Sequence, residues 1–487
     1  MELKDLVYVS DGRIRRADIK IEGDTIARIS DREELSSLQE VAATSLPLLL
    51  PGVIDEHIHS REPGMTHKGD LWSETRAAAA GGVTSVMDMP NVVPPTTSIE
   101  TWQERMELGA QHAFVNYAFH FGATNTNADL LTQLDVTRIP SVKLFMGSST
   151  GGMLVDREEA LQKVFASSPL PIMTHCEDTA MINANMRAIQ AEHGDDPDIA
   201  FHPLIRSREA CIASTRLAVR LAESTGARLH IAHITTAEEL AIISGKSGLS
   251  ETSGTAGISG ISGISGTAGI SGTAGTAGKP GISGKSGKSG KSAASLPSIT
   301  AEACIPHLIF TDEDYLTLGT RIKCNPAVKS ATDREALRAA LSDGRILTVA
   351  TDHAPHLLSE KQGGSRTAVS GMPMVQFSLV AMMELVSDGI LTLPRLVELM
   401  CHNPARLFEV RDRGFIREGQ KADLVMLRPS VWTLTKDQIV SRCGWSPLEG
   451  RTFRWQVAET IVNGTAVYRD GHFLTDTNSH ATALRFR

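Results

Sequence analysis

The chain is 487 residues long, 41% hydrophobic and 21% charged, with a formal charge of −8 at pH 7. That balance belongs to a folded globular protein with room for a large domain and a smaller companion, and the acidic excess argues against a nucleic-acid partner. No apolar run approaches the ~18 residues needed to cross a bilayer, the start MELKDLVYVSDGRI lacks a basic flank leading into an apolar stretch, and the six cysteines form no Cys-x-x-Cys unit, so the expected setting is the cytoplasm, without membrane contact.

In chain order, LVYVSDGRIRRADIKIEGDTIARIS comes first, alternating short β-type runs with turn signals at Asp11-Gly12 and Glu22-Gly23-Asp24, as an antiparallel sheet does. The same pattern returns at the far end in KADLVMLRP and WQVAETIVNGTAVYRDGHF, with turns at Asn463-Gly464 and Asp470-Gly471. Two such ends predict one small β-sandwich built from residues 1–50 and 411–487.

Between them, residues 51–410 repeat a short apolar strand, a polar loop and a helix-length segment. The strands are LPLLLPGVI, GVTSVMDM, FVNYAFHFG, SVKLFMG, LPIMTHC, ARLHIAHI, SITAEAC and ILTVATD. Eight βα units of this kind predict an α/β fold closed as a (β/α)8 barrel, with functional groups at the C-terminal ends of its strands. Residues 244–296 interrupt the pattern between the sixth and seventh strands. Glycine recurs there at every third position from Gly254 to Gly290, but Pro280 is the single proline of that run. A collagen helix needs roughly 15–20% proline, so the segment reads as a low-complexity, flexible insertion.

The chemistry gathers at the strand ends. His57 and His59 in DEHIHSREPG stand two apart, on one side of an extended chain. His175 ends the fifth strand, His233 the sixth and Asp352 the eighth. Such residues face one pocket, and imidazole with carboxylate suits zinc. Lys143, on the fourth strand, faces inward among them. Two readings are open for it: a lysine that snorkels out or pairs with an acid, or a neutral amine that takes up carbon dioxide as a carbamate and bridges two metals.

Together DEHIHSREPG, VKLFMGSSTGGMLVD, MTHCED, HIAHITTAEE, CNPAVK and ATDHAPH resemble the amidohydrolase superfamily, and within it the dihydroorotases. The resemblance extends through GFIREGQKADLVML and CGWSPLEGRTF and leaves out the glycine-rich insertion. It implies a distorted barrel and two zinc ions held by His57, His59, His175, His233 and Asp352. The same resemblance implies a bridge between the ions made by Lys143, carboxylated on its side-chain nitrogen, and by a hydroxide. It also implies reversible cyclisation of N-carbamoyl-L-aspartate to L-dihydroorotate in pyrimidine synthesis, with Asp352 as catalytic base and acid. Arg61, two beyond His59, can grip a substrate carboxylate through a guanidinium fork. Asn91, Asn325 and His356 match family positions around the same substrate, and His59 is counted with them. The loop SRTAVSGMP is expected to line the ring through its backbone. His120, His202 and His307 read as structural, and Cys176 as a small buried neighbour. Two other functions compete: an allantoinase or dihydropyrimidinase, and a silent homologue serving as a binding subunit. Silent homologues lose ligands, and here each position is filled. The partner expected is the small-molecule substrate, with a homo-oligomer or other pyrimidine-pathway enzymes left open.

Overall fold

The computed structural model describes residues 1–44, 46–147, 152–245 and 296–487. The glycine-rich insertion therefore lies almost wholly outside the described residues.

Eight parallel strands follow the expected order: β1 (Val53–Ile58), β2 (Val83–Asp88), β3 in two pieces (Asn116–Phe119 and Phe121–Gly122), β4 (Val142–Phe145), β5 (Ile172–His175), β6 (Leu229–Ile231), β7 (Ile299–Cys304) and β8 (Thr348–Ala350). The ring closes where Ile58 pairs with His353 and the His59 N–H reaches His353 O at 2.7 Å. β1 and β2 are buried along their whole lengths, as barrel strands covered on both faces must be. Helices return the chain between strands. Leu71–Ala80, for example, starts at a capping box in which Asp70 accepts from Ser73 N–H at 2.8 Å and its own N–H reaches Ser73 Oγ at 3.1 Å. The link from β3 to β4 carries just the 3-10 turn Ala128–Gln133, so the barrel departs from regular alternation there.

The first strand corrects the sequence reading. LPLLLPGVI is not one strand: it divides at Gly52, where a Cβ would come within 2.1 Å of Thr84 Oγ1. Leu48–Pro51 leaves the barrel and pairs parallel with Glu2–Ser10 and antiparallel with Leu424–Thr433. It thus joins the two ends of the chain in a single eight-stranded sheet. A separate apolar cluster supports that sheet, with Leu6, Tyr8, Ile19, Leu49, Leu424 and Ile461 among its members. Among the described residues no helix is long and apolar enough to cross a membrane.

Candidate metal centre

Because Asp55–Ile58 belongs to β1, the histidine motif begins inside the strand rather than after it. A register shift between Asp55 and Ile58 breaks strict alternation, and both histidines still reach one carboxylate. His59 Nε2 lies 3.0 Å and His57 Nε2 3.4 Å from Asp352 Oδ1. Across the barrel His175 Nδ1 lies 3.0 Å from His233 Nε2. The His57 ring stands 5.3 Å from the His233 ring, centroid to centroid, and links the two pairs. All ten residues singled out in the sequence line one cavity of about 320 Å³: His57, His59, Arg61, Asn91, Lys143, His175, His233, Asn325, Asp352 and His356. A larger, more open cleft of about 420 Å³ beside Arg411 and Arg485 contains none of them.

The cavity is electrostatically unfinished. Lys143 is fully buried and its Nζ has no hydrogen-bond partner, and His233 Nδ1 is likewise buried and unpartnered among the described residues. Burial pulls the Lys143 pKa below the ordinary lysine value. Burial also lowers His59 to about 4, against the opposing pull of Asp352. For Asp352 burial works in the raising direction, but His57, His59 and Lys143 prevail and hold the carboxyl below its usual range. Four imidazoles, a carboxyl held below its usual range and a buried lysine nitrogen without a hydrogen-bond partner among the described residues together are a donor set suited to metal. Arg61, His233 and Asp352 also adopt left-handed backbone at φ 74°, 36° and 46°, an uncommon conformation for non-glycine residues that clusters at functional sites.

The substrate-side residues have partners of their own. Arg61 does not pair with Glu62, which instead accepts from Leu71 N–H and contacts His112. Arg61 Nε donates to Pro355 O at 3.0 Å and its terminal nitrogen lies 2.9 Å from His356 Nε2. Asn91 Oδ1 lies 2.8 Å from His59 Nδ1, so this asparagine also orients a ring of the centre. Asn325 Oδ1 is buried without a hydrogen-bond partner among the described residues. From the expected loop, Val369, Ser370 and Gly371 reach the cavity.

Two supporting acids escaped the sequence reading. Glu302 of β7 is fully buried and sets its Oε1 2.9 Å from His57 Nδ1 and 3.0 Å from the His233 N–H. Glu177 Oε2 lies 2.8 Å from His175 Nε2 and is held in turn by Arg206. Outer carboxylates of this kind orient metal-binding imidazoles. Their signals were present: one acid inside the apolar strand ITAEAC, and one two places after His175. The residues read as structural behave so. His120 bonds Ser141 and Glu56 O, His202 bonds Cys324 O, and His307 bonds Pro326 O. Burial pushes the Cys176 thiol up to about 12, out of reach of nucleophilic use.

Comparison with known proteins matches residues 48–467 to the amidohydrolase family model. The chain belongs to the amidohydrolase family. Within it, the chain is 31% identical over 470 residues to the dihydroorotase of Halobacterium salinarum, covering 96% of each, and 29% identical over 458 residues to that of Methanosarcina mazei, covering 92% of this chain and 90% of the other. Among solved structures it is similar to the L-hydantoinase (dihydropyrimidinase) of Arthrobacter aurescens, with a TM-score of 0.82, 23% identity and 99% of each chain covered. That likeness establishes a shared fold.

Proposed function

We propose that this amidohydrolase is a dihydroorotase that interconverts N-carbamoyl-L-aspartate and L-dihydroorotate with two zinc ions. The observation that carries the reading is Arg61, whose guanidinium enters the same cavity as the four histidines, Lys143 and Asp352. A cyclic amide without a carboxylate would leave that buried cation, which bonds Pro355 O and His356, without an anion to pair with. The dihydropyrimidinase-like fold keeps the second reading in view, and Arg61 disfavours it.

His57, His59, His175, His233 and Asp352 would hold the ions. Lys143, whose pKa burial pulls below the ordinary lysine value, would react as the free amine with carbon dioxide to form a carbamate with release of a proton, and would offer that carbamate to the ions. Zinc bound there supplies Lewis acidity, acidifying water and polarising the ring amide carbonyl. Asp352, kept ionised by its histidine neighbours, takes the proton of the attacking water and returns it to the departing ring nitrogen as the C–N bond breaks. Arg61 and His356 position the carboxylate, with Asn91 and Asn325 nearby. Run in reverse, the same groups close the ring.

Metal analysis with turnover assays tests the reading. The expected result is about two zinc ions per chain and activity on dihydroorotate, with none on allantoin or dihydrouracil. Turnover of dihydrouracil without dihydroorotate would replace it with the second reading.

A further inference from the structure

Lys68 belongs to none of the motifs above, yet it lines the same cavity. It is carried with Arg61 on one hydrogen-bonded loop, in which Met65 N–H reaches Arg61 O at 3.1 Å and Lys68 N–H reaches Met65 O at 3.0 Å. The two cations close on a single ring. The Arg61 terminal nitrogen stands 2.9 Å from His356 Nε2, and Lys68 Nζ stands 3.1 Å from His356 Nδ1.

That arrangement cannot satisfy itself. Guanidinium and ammonium groups only donate, whereas a neutral imidazole has one accepting nitrogen and carries hydrogen on the other. In either tautomer one ring N–H faces a cation, and a protonated ring would face two. Burial, Arg61 and Lys68 all oppose protonation of His356. Glu360 takes Lys68 at 2.7 Å, but its second oxygen accepts from Leu357 N–H at 2.9 Å and remains 3.7 Å from the ring. Donors thus outnumber acceptors around His356. A carboxylate, with two oxygens that only accept, supplies what is missing.

We propose that Lys68 is a further carboxylate-binding residue of the substrate site, gripping the anion from the side of His356 opposite Arg61. The proposal rests on the dihydroorotase reading for its substrate. It makes carboxylate recognition a two-cation device rather than the work of Arg61 alone. Through Glu360, Lys68 is also tied to the segment leading into the Val369–Gly371 wall of the cavity, where Lys361 Nζ bonds Val369 O and Gly371 O.

The test compares the zinc-loaded wild type with Lys68→Met and Lys68→Arg. It uses dihydroorotate turnover and calorimetric binding of two planar probes, orotate with a carboxylate and uracil without. Removing one charge-assisted contact should raise KM and weaken orotate binding about 10- to 100-fold. The expected kcat lies within about threefold of wild type, uracil binding is unchanged, and arginine restores most of the loss. If methionine unfolds the loop, Lys68→Gln, shorter and uncharged but polar, gives the same reading. Wild-type KM and orotate affinity in these variants would overturn the assignment, as would a loss of kcat alone. A wild type that binds orotate through Lys68 but fails to turn over dihydroorotate would overturn the catalytic reading and leave the anion site standing.

Discussion

Replacing Glu302 with glutamine tests whether the proposed metal ligands are held from within the barrel by a carboxylate. Glu302 Oε1 serves His57 Nδ1, the His233 N–H and Cys304 Sγ, while its Oε2 is buried 4.0 Å from His230 Nε2 without a hydrogen-bond partner among the described residues. Glutamine keeps the volume, so the amide oxygen can stay with His57 and the amide nitrogen takes the place of the unpartnered oxygen. What disappears is the charge. A hydrogen bond to a charged group contributes about 1.5–3 kcal/mol, against about 0.5–1.5 for a neutral one. The difference, on the order of 1–2 kcal/mol, corresponds to roughly 5- to 30-fold weaker zinc binding, in line with the cost of losing an outer-shell partner. The fold itself should tolerate the change. Burial and the charge of Glu302 push the Glu56 carboxyl well above its usual range, and removing that charge relieves the like-charge pair. The assay is competition for zinc against a chelator, with thermal unfolding of metal-free protein run in parallel. Wild-type zinc affinity in Glu302→Gln would refute the supporting role. A large loss of metal-free stability with unchanged affinity would make Glu302 a fold residue instead.

Lys143→Ala should lower turnover by about 10³-fold or more and reduce bound zinc if the proposed bridge is lost with it; full activity would rule out the carbamate. Arg61→Ala should raise KM for dihydroorotate about 100-fold with a smaller effect on kcat, and an unchanged KM would end the specificity argument. Trp445 is fully buried and its indole N–H donates to His356 O at 2.7 Å, so Trp445→Phe should cost about 1 kcal/mol in urea unfolding and raise KM as His356 loosens; neither change appearing would refute the link. Burial lowers His120 to about 3 and His230 and His307 to about 4. Below pH 6.5 the unfolded chain therefore binds protons that the folded protein refuses. Stability should fall as pH drops from 6.5 towards 4, at on the order of 1 kcal/mol per pH unit for each such histidine, and stay undiminished by these groups above 6.5. A flat urea midpoint across that window would contradict this.

Much of the site was legible because its signals are local. Strands alternating with helices need a window of a few dozen residues, and candidate ligands towards the C-terminal ends of several strands follow from where barrels present their side chains. His57, His59, His175, His233 and Asp352 could be placed in that way, and all meet in one cavity. LPLLLPGVI could not be divided by pattern, because every position suits either sheet. Gly52 against Thr84, and pairing with strands near residues 7 and 425, divide it. The carboxylate behind His57 lies 245 residues away at Glu302, and the ring between Arg61 and Lys68 lies near residue 356. The amino-acid sequence by itself determined which candidate groups gather in one cavity and in what order the strands present them. The tertiary structure decided what each group touches: Asn91 on His59, Glu177 on His175, two cations on His356. Periodicity is written within single elements, whereas hydrogen-bond partners are chosen by barrel closure between residues that the chain holds far apart.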